Sequence, residues 1–548
     1  MNLTAPARVF RYVAIFFLGW TAQHAFGEKP PFKILYNSDT THILTCTSVW
    51  RPNREKLSRG MFVAAVDEAA NAGADAFLMA PGLGWVPWWQ SKVVPLDNHA
   101  AWFRDHFHLP NAKSAFLDFI MQGNDIIAIT GDRCHEKGMA FFISFRLNDV
   151  HGKDTLANPT AGHIASVPRF YVDHPEFLLG PQPSNEQTGW ARYLQNWVHP
   201  EVRDSKLNLI GEVCRNNDID GLELDFMRAP YFFRQSETSA GQRREIMLGF
   251  VKQVRQLLDL TMRAGKHRWL SVRIPSRLEA YDAMGIDLPA WSSAGVDMFN
   301  LASSYHIEQT NDLAEVRELV PASTVYLELT HVVAFNGNAR ARSHRRATKE
   351  LLDTSAHLAY AGGADGISLF NFQYFRDYRD AKQENADGPY SEPPFALVKE
   401  LGNPSVVATQ PQHYYQGMIM AQPPRPHRPF PVVAKPNEKL IFPVDLAPPN
   451  GGWKTAGRLR FQSDQSFGDR KFLVEINGTP LVPNPDVSEP YPTIYTQMQG
   501  KPDELRAWSV PPEILRAGHN EIALSSLHGS PARLIALDLA LPGSSDRK

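Results

Sequence analysis

Cysteine is scarce in this 548-residue chain: there are three, Cys46, Cys134 and Cys214. A small, odd count in so long a chain excludes a fold held together by a disulfide framework, and leaves open whether Cys134 and Cys214 pair or stay as buried thiols. No CxxC and no zinc-type Cys/His spacing occurs. Charge of one sign is lacking as well. A formal net charge of -2 and a pI near 6.8 remove the bulk electrostatic case for nucleic acid or an anionic membrane as partner. Local basic clusters such as Arg340, Arg342, His344, Arg345 and Arg346 leave anion contact open, and a solvated helix start is the preferred reading. Neither a dinucleotide fingerprint nor a phosphate-binding glycine loop follows the first predicted strand, and no GxSxG elbow presents a nucleophilic serine.

Long hydrophobic runs are missing beyond the N-terminus. There, Arg8 and Arg11 precede an apolar run over residues 12–18 and then Ala25-Phe26-Gly27. This is the pattern of a secretory signal peptide over residues 1–27, and its apolar run falls short of the ~20 residues a membrane span needs. The mature protein is expected to be secreted or periplasmic, with no membrane partner after signal cleavage.

With 43% hydrophobic and 11% aromatic residues the chain can bury large cores, and its length calls for two or three folded units. From about residue 41 to 371 one pattern recurs: an amphipathic helix ends near Gly or Asn, and a short apolar strand with an early Asp or small residue follows. Instances are residues 72–79, 137–143, 218–222, 294–299 and 363–370. Adding strands at 43–49, 268–274 and 324–330 gives about eight βα units, which predicts an α/β fold, a closed (β/α)8 TIM barrel, over residues 28–400. A proline-rich linker is expected at 401–430. Beyond it, short alternating strands near 439–444, 457–461, 471–476, 505–510, 521–525 and 532–539 predict an all-β sandwich over 431–541. Asn477-Gly478 marks a two-residue hairpin turn inside it.

Polar residues gather at the predicted C-terminal strand ends, where such barrels place their sites. On the fourth strand, period-2 geometry sends Leu222, Leu224 and Phe226 to one face and Glu223 and Asp225 to the other. Glycoside hydrolysis usually needs two carboxyl groups from different elements, and the seventh strand offers Glu328. Asp225 is the expected nucleophile or base, and Glu328 or Glu223 the acid. The competing reading is a buried ion-pair layer, with Glu223 or Glu328 on Arg273. Arg228 and Arg273 would keep Asp225 ionised. Trp85, Trp88 and Trp89, with Trp50 nearby, read as a loop platform for sugar rings, and Arg146, Tyr305 and Asn371 complete the expected substrate contacts. His106 and His108 have an HxH spacing but lie after the second strand, away from where a barrel metal would sit, so no metal and no cofactor are expected.

The run Asp220-Gly221-Leu222-Glu223-Leu224-Asp225-Phe226-Met227-Arg228-Ala229-Pro230 resembles the fourth-strand signature of bacterial glycosyl-hydrolase-like TIM-barrel proteins, and residues 326–331 fit the same group. The resemblance covers residues 33–378. It implies an exported glycoside hydrolase with a carbohydrate substrate, and supports Asp225 as nucleophile. Met227 stands where a chitinase has its catalytic Glu, so substrate-assisted chemistry is not implied. The alternative is a non-catalytic carbohydrate-binding or scaffold protein on the same barrel, since fold alone does not settle activity.

Overall fold

The computed structural model describes residues 29–46, 50, 56–83, 85–158, 163–181, 189–303, 305–335, 344–376, 392–419, 430–494 and 498–543. The expected signal peptide, Arg340, Arg342 and the proline-rich stretch 422–429 lie outside them. Eight parallel strands close into a barrel: β1 (Ile34–Ser38), β2 (Ala76–Met79), β3 (Ala140–Arg146), β4 (Gly221–Asp225), β5 (Trp269–Pro275), β6 (Met298–Ala302), β7 (Thr324–Leu329) and β8 (Gly366–Phe370). They pair in sequence order, and β8 pairs with β1. Outside them run α1 (Arg59–Ala72), α2 (Ile126–Glu136), α3 (Pro200–Asn216), α4 (Ala240–Leu260), α5 (Leu288–Ser293), α6 (Leu313–Leu319) and α7 (Lys349–Ala361).

The first strand is a correction. Residues 43–49 are rich in β-branched side chains, yet Ile43 lies in the single helical turn His42–Thr45, and the strand is Ile34–Ser38. What selects it is long-range: Asp75 accepts the Ile34 N–H at 2.8 Å, and the strand pairs with both β2 and β8.

The early Asp of the repeating pattern has a physical role at the N-terminal face. Asp75, Asp220, Asp297 and Asp365 precede β2, β4, β6 and β8. Each carboxylate accepts a main-chain N–H from the strand before it: Ile34, Phe141, Leu270 and Val325, at 2.8, 2.8, 2.8 and 2.9 Å. The glycine that follows in two of these pairs is required by packing. A Cβ on Gly221 would lie 2.2 Å from the Phe142 ring, and one on Gly366 would lie 2.5 Å from Lys33 O. Phe142 and Tyr326, with Leu35, Leu78 and Met298, fill the barrel floor. The Asp-Gly pairs are therefore architecture, at the end of the barrel remote from the expected chemistry.

Two antiparallel sheets follow. The first runs β9 (Gln412–Gly417), β18 (Ala532–Leu541), β12 (Gly457–Ser463), β16 (Leu505–Val510) and β15 (Val482–Asn484), with β10 (Val432–Ala434) also on β18. The second runs β11 (Lys439–Leu446), β17 (Gly518–His528), β13 (Lys471–Ile476) and β14 (Thr479–Pro480). Both pack on one core that includes Tyr414, Leu459, Phe461, Val474, Trp508 and Leu537. Asn477 and Gly478 both take positive φ, 51° and 81°, as a two-residue hairpin between right-twisted strands demands. Strand β9 lies inside the stretch read as linker, so the first sheet begins before residue 431.

The sandwich is tied to the barrel by polar contacts. After β7 the strands Val332–Phe335 and His344–Arg346 form a hairpin, which replaces the solvated helix start expected at Arg345 and Arg346. Arg345 is buried, pairs with Glu489 at 2.6 Å and lies over the Tyr415 ring at 5.0 Å. Phe335 N donates to Met418 O at 2.7 Å, and Gln309, beyond β6, receives the Tyr415 N–H at 2.7 Å. Two loops of the barrel's C-terminal face are thus held by sandwich strand β9 and by Glu489.

The N-terminal Asp contacts make one expectation testable. In Asp365→Ala, the Val325 N–H and the Arg317 guanidinium, 2.8 Å from the carboxylate, lose their acceptor. Stability should fall by about 1–3 kcal/mol, read as a lower midpoint in denaturant unfolding, with ligand binding or turnover at the opposite face unchanged.

Candidate active site

Inward-facing side chains stack in layers above the floor. The middle layer is polar and centres on Glu223, fully buried on β4. It accepts from Asn37 Nδ2 at 2.6 Å, Ser144 Oγ at 2.8 Å and Asn300 Nδ2 at 3.1 Å. Burial pushes its acid up, with the Asp225 charge adding to the rise. The layer above is ionic. Arg273 on β5 grips Glu328 with two bonds, Nε at 2.5 Å and Nη2 at 2.6 Å, and reaches Asp225 Oδ1 with Nη1 at 2.9 Å. Its guanidinium also lies 3.9 Å from the centroid of Phe370 on β8. Burial lifts the Glu328 acid to about 7, against the pull of Arg273. One planar cation therefore links the carboxylates of β4 and β7.

Asp225 ends β4 and is 3% exposed. Besides Arg273, its Oδ1 accepts the N–H groups of Met227 at 2.8 Å and Arg228 at 3.1 Å. The chain turns just beyond the strand, and this turn aims two amides back at the carboxylate.

The mouth above is built from loop residues. Asp149, fully buried, accepts from His151 Nδ1 at 2.5 Å, while His151 Nε2 accepts from Arg228 Nη2 at 2.8 Å. Both contacts require one neutral tautomer, with the proton on Nδ1. Burial, joined by Arg228 and Arg146, keeps His151 below its ordinary value although Asp149 opposes this. Burial raises Asp149, but His151, Arg228 and Arg146 together hold it well below the usual carboxylate range. Arg228 also touches the Tyr305 hydroxyl and lies 5.4 Å from that ring's centroid. Arg146, at the end of β3, sits 3.4 Å from Asp149 and 3.9 Å from Asp39. Asp39 in turn accepts from Asn371 Nδ2 at 3.3 Å and from Tyr374 OH at 3.0 Å. Asn371 holds a left-handed backbone, φ 50°, at the end of β8, a conformation Asn tolerates better than most residues.

No family model matches the chain, and no curated protein matches it. Similar solved structures include a cycloisomaltooligosaccharide glucanotransferase from Paenibacillus sp., with 10% identity and TM-score 0.31 over 92% of this chain and 57% of that one. An α-L-fucosidase GH29 from Bacteroides thetaiotaomicron has 10% identity and TM-score 0.34, over 90% and 92%. A GH36 α-galactosidase from Geobacillus stearothermophilus has 11% identity and TM-score 0.35, over 94% and 56%. The chain spans little more than half the length of the first and third. At such identities and scores the similarity gives no residue of this chain a role.

Of the residues singled out from sequence, the structure brings Asp225, Arg273, Glu328, Arg146, Arg228, Tyr305 and Asn371 to the C-terminal face, with Glu223 one layer below. It does not bring the tryptophans there as an exposed platform. Gly82–Leu83 pairs with Val86–Pro87, and the segment folds inward. Trp85, Trp88 and Trp89 are buried in the main core. Trp88 stacks on Phe116 with centroids 4.0 Å apart, and Trp89 Nε1 donates to Glu212 at 2.8 Å. Trp50 is half-buried against the same core. Density of indoles next to Gly and Pro does not separate a platform from a folded-in loop, because the covering rings, Phe116 and Phe170, are distant in sequence. Asn37 and Asp39 do not stand out from the sequence, because its local pattern places the first strand at 43–49 and the strand is Ile34–Ser38. A corrected strand would have exposed them by alternation. Cys46, Cys134 and Cys214 are all free and buried.

The Asp149–His151–Arg228 chain predicts a titration. A histidine held below its ordinary value confers stability above the unfolded value near 6.5, lost as pH falls through the folded value. By NMR, His151 should therefore remain neutral at about pH 6.5, where an exposed histidine is half protonated. Asp149→Asn should lower its pKa further by removing the charge that favours the imidazolium.

Proposed function

We propose that the protein is an exported glycoside hydrolase acting at the C-terminal mouth of the barrel, with Asp225 as nucleophile or base. The observation that carries this reading is the anchoring of Asp225. A guanidinium and two main-chain amides converge on one of its oxygens, which fixes the carboxylate's orientation and leaves its other oxygen free of these three donors. A carboxylate so held suits attack on an anomeric carbon, or activation of the water that attacks it. Glu328 is the acid in this reading, since burial raises it and it would take up a proton once its carboxylate leaves the Arg273 guanidinium. To donate it, Glu328 must be released from Arg273, which substrate binding would have to drive. Glu223 supports the layer from below. Arg146, Arg228, Tyr305 and Asn371 offer hydrogen bonds to sugar hydroxyls, and cleavage after Gly27 would deliver the protein to the periplasm or the medium.

A second reading has its own observation. Both oxygens of Glu328 are taken by Arg273, and Glu223 is taken by three neutral donors. These are the contacts of a structural ionic layer in a barrel that binds glycan without cleaving it. Turnover on a panel of aryl glycosides and polysaccharides separates the two. In the hydrolase, Asp225→Asn and Glu328→Gln each lower kcat by about 10²–10⁴-fold while glycan binding persists. In the binding protein no panel member turns over, and the same variants lose about 3–5 kcal/mol of stability, as broken buried pairs do. Full hydrolysis by Asp225→Asn would remove Asp225 from the chemistry. Fractionation of cells expressing the complete chain, with the mature N-terminus read by mass spectrometry, tests export.

A further inference from the structure

Arg228 is held at the barrel mouth by a contact that one protonation state of His151 alone allows. Arg228 Nη2 donates to His151 Nε2 at 2.8 Å, while His151 Nδ1 donates to Asp149 at 2.5 Å. With its Nδ1 proton committed to Asp149, the imidazole has one lone pair left, and that is the one on which Arg228 rests. A second proton on the ring must take the same lone pair. The ring itself is fixed from below, because Asp149 is fully buried and its Oδ1 also accepts the His151 main-chain N–H at 2.7 Å.

The arginine is the partner that can move. Its main-chain N–H is anchored on Asp225 at 3.1 Å, whereas its side chain rests on His151, on the Tyr305 hydroxyl and, at 3.8 Å, on Asp149. Both side chains reach solvent: 29% of the His151 surface and 17% of the Arg228 surface are exposed. Protons therefore exchange with the ring without any opening of the core, and the guanidinium has water to turn into.

We propose that His151 is a proton-operated latch on Arg228, and that protonation of its Nε2 releases the guanidinium into the barrel mouth. The proton comes from water and adds to the Nε2 lone pair, so an acceptor becomes a donor and two cations face each other. His151 keeps Asp149, now as a full ion pair, and Arg228 swings about a backbone that Asp225 still holds. The charged groups around the ring are Asp149 and Arg146 on its own segment, Arg228 from the turn after β4, and Asp154 further along the loop. Burial, joined by Arg228 and Arg146, outweighs Asp149 and keeps the ring below its ordinary value. The latch is therefore shut at neutral pH and opens as pH falls through the folded value, below about 6.5. It belongs to the mouth whether glycan is cleaved there or only bound.

The test is side-chain nitrogen NMR on the full chain, following the His151 ring and the Arg228 guanidinium together from about pH 8 to about pH 4. The Arg228 signals should pass from the pattern of a held guanidinium to the averaged pattern of a free one, with the midpoint of the His151 ring. In His151→Gln, whose amide oxygen accepts at every pH, they should keep the held pattern throughout. The coupling is reciprocal. Arg228→Met removes both the donor and the charge, and should raise the proton affinity of His151 about tenfold or more. Arg228 signals that stay unchanged while His151 titrates overturn the proposal. So does a His151 midpoint unmoved in Arg228→Met, or a ring that remains neutral until the fold is lost. Should either variant misfold, the wild-type titration decides.

Discussion

The Arg273 guanidinium is the contact on which the upper half of the barrel depends. It is buried at the level where the strands end, and three of its nitrogens reach carboxylates on β4 and β7 while its face lies on Phe370 of β8. A charge at that depth persists only when paired. Arginine suits it because the fork matches a carboxylate with two bonds and still has a third direction to give. Four strands, β4 and β5 on one side of β6 and β7 and β8 on the other, are thereby linked by one side chain. That lock and the candidate chemistry share the same atoms, so the geometry of Asp225 is as rigid as the barrel itself.

The two ends of the barrel divide their tasks. At the N-terminal end, four aspartates cap alternate strands and aromatic rings fill the floor, leaving space for glycine alone at positions 221 and 366. At the C-terminal end, buried cations and carboxylates interleave, and the histidine between Asp149 and Arg228 is confined to one tautomer by its two neighbours. In this mouth each charged group is oriented by another, so its donors and acceptors are fixed in direction. The sandwich contributes to this order from outside. By gripping Gln309 and the hairpin after β7, it places loops of the barrel face and is structurally part of that face's surroundings.

Much of this was legible in the chain itself. Alternation on β4 separated Glu223 and Asp225 from Leu222 and Leu224, and seven of the eight barrel strands and the six principal sandwich strands stand where local pattern placed them. These features depend on neighbours in sequence, which period-2 and period-3.6 patterning records directly. The first strand escaped because its selection rests on Asp75 and on closure against β8, and with it went Asn37 and Asp39. The tryptophans escaped for the same reason: their covering rings arrive from elsewhere in the chain.

The two carboxylates of β4 illustrate the division most sharply. The sequence alone determined that Glu223 and Asp225 face inward at the end of a barrel strand, because side-chain direction in a strand is a local property. Only the tertiary structure decided their partners. It set Glu223 among Asn37, Ser144 and Asn300, and joined Asp225 to Glu328 through Arg273, because hydrogen bonds between strands depend on the register of a closed sheet, which no single strand encodes.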